Sequence, residues 1–337
     1  VDSLPLHGPA EADAKHMIAQ LLRKAVQCVL HSKLVGILLF FSVLAGVGLF
    51  AAGSISSMDR GQLKGIGIAD FLPPLGLILL AYMNRFLFWI RLTGSFDLRA
   101  PFIKAGRAFF YSLLGRYVPG KAGLFLLRLR AYEGKSKRKV GAALVTEYIS
   151  TILAASLLVL LGSLLADRGT AFLTRWIPVA VAAAALLVLR PRLLRRLVNG
   201  LIGITGRNHL VEFPTKATTV AVTSGYILTG LLHGMALFLI LNKFEDVSLN
   251  LYPVVTGSSY TAGLIGIFAF FAPGGLGVRE GVLFLLLPVY ICSSAVVASA
   301  AVMRLLTLLA ELLLASLFHI AFRLHGREKS PAPASGS

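Results

Sequence analysis

Six stretches of this sequence are apolar over lengths that suit a bilayer, and two more are apolar but broken midway by Pro-Gly. A helix crosses the roughly 30 Å hydrocarbon core with about 20 apolar residues. Residues 34–53, 71–90, 141–166, 176–189, 217–241 and 294–322 read as spans, the fourth a short one. Segments 105–130 and 251–290 are interrupted at Tyr117-Val118-Pro119-Gly120-Lys121 and at Phe271-Ala272-Pro273-Gly274-Gly275-Leu276-Gly277. Each half is too short to cross. Each broken segment therefore reads as a re-entrant hairpin, because irregular backbone at membrane depth is tolerated only inside protein or beside a wet cavity. The expected fold is an all-α polytopic membrane protein of about six transmembrane helices plus two re-entrant helical hairpins.

Composition agrees. Hydrophobic residues make up 56% and charged residues 14%, with mean hydropathy +0.79. Soluble domains carry about 25% charge, and disordered chains lack apolar residues. The net charge of +18 would suggest nucleic acid in a soluble protein. Here its distribution explains it. With the N-terminus in the cytoplasm, segments 1–33, 91–140, 190–216 and 323–337 hold 25 of the 33 Lys and Arg. That asymmetry is the positive-inside pattern, so a cytoplasmic (inner) membrane location with both termini cytoplasmic is expected, and no nucleic-acid partner.

The chain divides near residue 170. Residues 1–33 form a cytoplasmic segment in which 17–30 reads as a basic amphipathic surface helix. Residues 34–170 and 171–322 form two membrane repeats, and 323–337 a disordered cytoplasmic tail. Each repeat reads span, span, hairpin, span, and the second starts on the opposite side. The tips share Pro119-Gly120-x-x-Gly123 and Pro273-Gly274-x-x-Gly277, with Tyr117 and Phe271 two residues before each proline. Inverted repeats with paired broken helices point to a transporter site near the midplane.

A helix starting inside the membrane offers unpaired N–H groups and a positive dipole end to anions. Lys121 lies at the first tip with Arg116 nearby, and Arg279 just past the second. These parts suit a phosphate head group, against the plainer reading that both cations reach interfacial lipid. Arg85, Glu147, Glu280, Arg304 and Glu311 lie in or beside apolar segments, where ionisable groups are costly and usually functional. Arg304 and Glu311, seven apart, share a helix face. Cross-pairing between the halves, such as Glu147 with Arg304, would neutralise both and serve as a gate, against the plainer reading of a fixed structural ion pair. His233 reads as a satisfied bundle histidine before a proton relay. Cys28 and Cys292 sit in apolar stretches and form no disulfide framework. No metal-spaced cluster, Walker loop or nucleophile elbow is present, so no cofactor and no enzyme activity are expected.

Gly115-Arg116-Tyr117-Val118-Pro119-Gly120-Lys121 resembles the G-x-Y-[IV]-P-G-[KG] hairpin of the lysylphosphatidylglycerol synthase transmembrane, or flippase-like, family. Pro273-Gly274-Gly275-Leu276-Gly277-Val278-Arg279-Glu280 resembles its second signature, P-G-G-[LI]-G-x-x-E. The resemblance covers roughly residues 34–322 and includes the membrane half of the multiple peptide resistance factor. It implies flipping of lipids such as aminoacylated phosphatidylglycerol, and of polyprenyl- or hopanoid-linked lipids. The chain ends soon after the last span without the soluble aminoacyltransferase domain, so lysyl transfer by this chain alone is not expected.

The resulting expectation is a flippase for a phosphate-bearing (aminoacyl-, glyco- or polyprenyl-) lipid. Lipid contacts fall to Arg116, Tyr117, Pro119, Gly120, Lys121, Pro273, Gly274, Gly275, Gly277 and Arg279. Gating falls to Arg85, Glu147, Glu280, Arg304 and Glu311. The partners are anionic or polyprenyl-linked membrane lipids, with a separate lipid-modifying enzyme as a further partner. Two rivals stand beside it: a membrane-embedded lipid transferase, and a non-transporting partner of a lipid synthase that docks through basic loops 128–139 or 190–207.

Overall fold

The computed structural model describes residues 66–115, 127–129, 132, 134–166, 214–268, 275 and 277–328, with isolated positions 45, 46, 49, 53, 56, 180 and 183. Val1–Gly46 and Val47–Ser337 form two compact units, and everything below concerns the second. Its described regular structure is helical: α1 (Leu72–Gly94), α2 (Phe102–Leu114), α3 (Lys137–Leu165), α4 (Lys216–Phe244), α5 (Tyr252–Phe268), α6 (Val278–Leu286) and α7 (Ser293–Glu328). The helices α1, α3, α4 and α7 are long and apolar enough to cross a membrane. The expected spans at 71–90, 141–166, 217–241 and 294–322 fall on these four. Of those at 34–53 and 176–189 only the isolated positions 45, 46, 49, 53, 180 and 183 are described, and the surface helix at 17–30 lies outside the described residues.

Helix starts follow local chemistry. Pro73 sits in the first turn of α1, where no intrahelical N–H bond is lost. At α4 the Thr215 Oγ1 accepts from the Thr218 N–H at 3.3 Å, a side-chain N-cap. Gly277 precedes α6 at φ 79, a conformation that excludes most side chains, and its N–H donates to Glu280 at 2.8 Å.

Three polar contacts fix which helix ends lie together. Lys243 meets Asp70 at 2.6 Å, so the start of α1 lies beside the end of α4. The Cys292 N–H donates to Glu245 at 2.6 Å, which brings the start of α7 to that same end. Lys139 meets Asp97 at 3.1 Å, joining the end of α1 to the start of α3. A helix of 23 residues is about 35 Å long. The Asp97 and Glu245 contacts therefore lie at opposite ends of α1. The chain between Asp97 and Lys139, carrying α2, leaves and returns at one end. The chain between Glu245 and Cys292, carrying α5 and α6, leaves and returns at the other. Packing is reciprocal too: α3 packs on α5, α7 packs on α2, and α1 packs on α4.

Small residues permit these approaches. A Cβ on Gly162 of α3 would lie 2.6 Å from the Pro253 carbonyl and 2.9 Å from Gly257 Cα, so α3 and α5 touch backbone to backbone. Gly106 of α2 makes room for Phe318 of α7, whose ring would sit 2.2 Å from an added Cβ. Phe86 of α1 stands among Phe102, Phe109, Phe110 and Phe318, with ring centroids 5.1–5.4 Å away. Tilted and edge-on aromatic pairs at such spacing add stability beyond buried area.

The polarity of α7 is inverted relative to a soluble helix. Leu309, Leu313, Leu317, Ile320 and Leu324 are exposed at helical spacing, while Arg304 and Glu311 are buried. An apolar exterior around buried charge is what lipid solvent selects. Cys292, expected within an apolar stretch, is exposed at the turn before α7.

Replacing Gly162 by Val is expected to force α3 from α5. Thermal unfolding in detergent checks this. Val at Gly141, where an added Cβ meets nothing within 4 Å, is the control expected to change little.

Candidate functional site

The carboxylate of Glu147, on α3, is shared by two arginines. Arg85 of α1 donates to its Oε1 at 3.2 Å, and Arg128 donates to its Oε2. Arg128 belongs to the short helical piece at 127–129. Its Nε donates to Ser112 Oγ at 3.0 Å. Its guanidinium lies 4.3 Å from the Trp89 ring centroid and 4.5 Å from that of Phe109. A planar guanidinium stacks on rings in this way, as an ammonium would not. The two arginines differ in access. The Arg85 side chain is 24% exposed, against 2% for Arg128. Two cations face one anion, so the trio carries one excess positive charge within an apolar bundle. Such charge is costly unless paired and hydrogen-bonded.

Tyrosines line the Arg85 side of this trio. The Arg85 guanidinium lies 5.7 Å from the ring centroid of Tyr226 on α4. Among the described residues, the buried Tyr226 hydroxyl and Arg85 Nε have no hydrogen-bond partner. Tyr260 of α5 packs on Gly230 of α4, its hydroxyl 3.1 Å from where a Cβ would stand. Arg279 of α6 reaches back over α5: a Cβ on Gly266 would meet its Nε at 2.9 Å, and one on Gly275 at 3.2 Å. Gly275, at φ 74, supplies both the turn and the space.

A second polar group crosses α1, α4 and α7. Tyr82 donates its hydroxyl to the fully buried Glu311. The Tyr82 ring meets His233 edge-on at 5.2 Å, and His233 Nδ1 bonds the Thr229 carbonyl at 3.0 Å. His233 is thus a bundle histidine with a local partner, as expected. Asn84 donates to the Gly225 carbonyl at 2.7 Å and to Thr229 at 2.9 Å, tying α1 to α4.

Of the sequence candidates, Arg85 and Glu147 meet directly, and Arg279 lies against Gly266 of α5 and Gly275. Arg304 and Glu311 are both buried on α7, as their spacing required. Glu280 caps α6 through the Gly277 N–H. Arg116, Tyr117, Pro119, Gly120, Lys121, Pro273 and Gly274 lie outside the described residues.

Two expectations need correction. Glu147 pairs with Arg85 and Arg128 rather than with Arg304: α1 and the 127–129 piece bring their guanidiniums to α3 first. Arg128 is no exposed loop cation but a buried side chain at 1% exposure. It was hidden in a run of basic residues. The available signal was its place inside the apolar segment 105–130, below Lys135, Lys137, Arg138 and Lys139. Tyr226 and Tyr260 carried no signal, since single tyrosines in apolar helices are ordinary.

A family described as "Lysylphosphatidylglycerol synthase TM region" matches residues 24–315 of the chain. No curated protein matches it.

Neutralising Glu147 as Glu147→Gln leaves the buried Arg128 and the half-buried Arg85 face to face without their anion. The expected loss is about 3–5 kcal/mol, the range for breaking a buried pair. Asp97→Asn breaks an exposed pair and should lose less than about 1 kcal/mol. Detergent unfolding of the two variants decides it, and equal losses would remove Glu147 from the centre of the fold.

Proposed function

We propose that this chain, which belongs to the lysylphosphatidylglycerol synthase transmembrane-region family, moves a phosphate-bearing lipid across the cytoplasmic membrane. The observation that carries the reading is the Arg85–Glu147–Arg128 trio: an excess cation held inside an apolar bundle, with unpaired donors beside it. A lipid phosphate brings the missing anion, and its acyl or prenyl chains suit the apolar exterior. Aminoacyl-, glyco- and polyprenyl-lipids share that chemistry.

The mechanism we infer is alternating access between two re-entrant hairpins in an inverted repeat. Its support is the pair of chain segments that leave and return at opposite ends, closed by Lys139–Asp97 and by Cys292–Glu245. The reciprocal packing of α3 on α5 and α7 on α2 supports it further. Six spans complete the proposed topology. We place the Asp97 end in the cytoplasm because Arg91, Arg99, Lys104, Lys135, Lys137 and Lys216 gather there. Arg85 and Glu147 hold the head group at mid-depth, and Arg279 guides it from the opposite end. No chemical step on the lipid is proposed.

A second reading has one observation in its favour: the family takes its description from a synthase. The chain would then anchor or regulate a separate lipid-modifying enzyme without transporting.

Reconstitution decides between them. Vesicles of phosphatidylglycerol containing a trace of its fluorescent analogue are treated with an impermeant quencher. Transport predicts that the protected inner-leaflet signal decays faster with protein than without. Decay equal to that of empty vesicles would refute transport and leave the partner reading.

The orientation has its own test. Hydrogen bonds from Ser294 hold the exposed Cys292 thiol below the ordinary thiol pKa, which raises its thiolate fraction near neutral pH. In a Cys28→Ser variant, an impermeant maleimide added outside intact cells should label Cys292. Labelling only after lysis would invert the topology.

A further inference from the structure

We infer that Arg85 is an exchangeable ligand. It leaves Glu147 to bind the phosphodiester of the lipid, while Arg128 stays on Glu147 in both states. This deepens the transport reading above and rests on it.

The asymmetry between the arginines carries the inference. Arg128 is fixed four times over: by Glu147, by Ser112 at 3.0 Å, and by rings at 4.3 and 4.5 Å. Moving it would strip every contact at once. Arg85 has one polar contact, the 3.2 Å bond to Glu147, and a distant ring at 5.7 Å. Its side chain is 24% exposed, and its Nε has no partner among the described residues. The Tyr226 hydroxyl beside it is buried, faces the Glu147 carboxylate and makes no hydrogen bond of good geometry. Arg85 is therefore the member of the trio that can leave, and donors already stand where it would go.

Charge fixes the class of ligand. When Arg85 leaves, Glu147 is still neutralised by Arg128, so no bare carboxylate is left in the bundle. The trio's excess is one positive charge, and a phosphodiester brings one negative charge. Arg85 then forms the two-pronged bond that guanidinium makes with phosphate. The Tyr226 hydroxyl donates to a further phosphate oxygen. Loading the site thus leaves the mid-membrane charge near zero, which lowers the cost of carrying an anion through the bundle.

The test uses the full chain in detergent, comparing wild type with Arg85→Gln, Arg85→Lys and Arg128→Gln. Native mass spectrometry measures retention of phosphatidylglycerol against diacylglycerol, and thermal unfolding measures stability. The inference expects Arg85→Gln to unfold near the wild-type temperature while binding phosphatidylglycerol about tenfold or more weakly, the loss of one charge-assisted bond. Arg85→Lys should recover part of that affinity. Arg128→Gln should unfold at a clearly lower temperature. Arg85→Gln losing as much stability as Arg128→Gln, or keeping wild-type affinity, overturns the exchange. Should Arg85→Gln fail to fold, Arg85→Lys decides: undiminished affinity in a protein of unchanged stability overturns it. Wild type that prefers neither lipid overturns the transport reading and the exchange with it. An equal Arg85-dependent stabilisation by inorganic phosphate keeps the exchange and overturns the lipid as its source.

Discussion

The Glu147 carboxylate organises this bundle because it is a buried anion that two separate pieces of chain must neutralise. Arg85 arrives on α1 and takes Oε1, and Arg128 comes from the 127–129 piece and takes Oε2. Arg128 is buried with the carboxylate, so geometry that misplaces it is strongly disfavoured, whereas the 24% exposed Arg85 is held less tightly. The pairing therefore sets how α1, α3 and the 127–129 piece stand together. The aromatic hub continues the same constraint. Phe109 stacks on Arg128 and also meets Phe86 and Phe110, which pass the contact to Phe318 of α7.

Glycine governs the other half of the packing. Without a side chain at 162, α3 reaches the Pro253 carbonyl of α5, and without one at 106, α2 admits Phe318. In lipid there is no water-driven force between helices, so close backbone contact replaces it. The ionic trio and these contacts act on different pairs of helices. Together they hold α3 against α5 and α7 against α2.

The helices were legible because lipid imposes length and composition, and both are written in consecutive residues. The expected spans at 71–90, 141–166, 217–241 and 294–322 fall on α1, α3, α4 and α7 with ends shifted by a few residues. The break before α6 was legible through its glycines, of which Gly275 and Gly277 adopt the left-handed backbone. Partners were not legible. Spacing along one helix places Arg304 and Glu311 on a shared face, but no spacing says which other helix faces Glu147. The cross-pair of Glu147 with Arg304, offered as one example, is therefore not the one formed, whereas the intrahelical inference holds. Arg128 failed for a related reason: charge counting treats each Lys and Arg alike, and only the fold separates one basic residue from its neighbours.

On the transport reading proposed above, opposed geometry and unequal arginines bear on a single problem, that of moving an anion through a medium that excludes it. On that reading, the chain segments closed by Lys139–Asp97 and by Cys292–Glu245 approach the bundle from opposite ends. A rigid cation there would bind an anion too well to release it, and a mobile one alone would leave a carboxylate bare. Fixing Arg128 through stacking and Ser112 removes the second difficulty, and the looser tether of Arg85 addresses the first. On this argument the carboxylate matters less as a ligand than as a resting place, occupied by Arg85 whenever no phosphate is present. That is why a buried acid should sit beside a site meant for an anion, where simple attraction would argue against it.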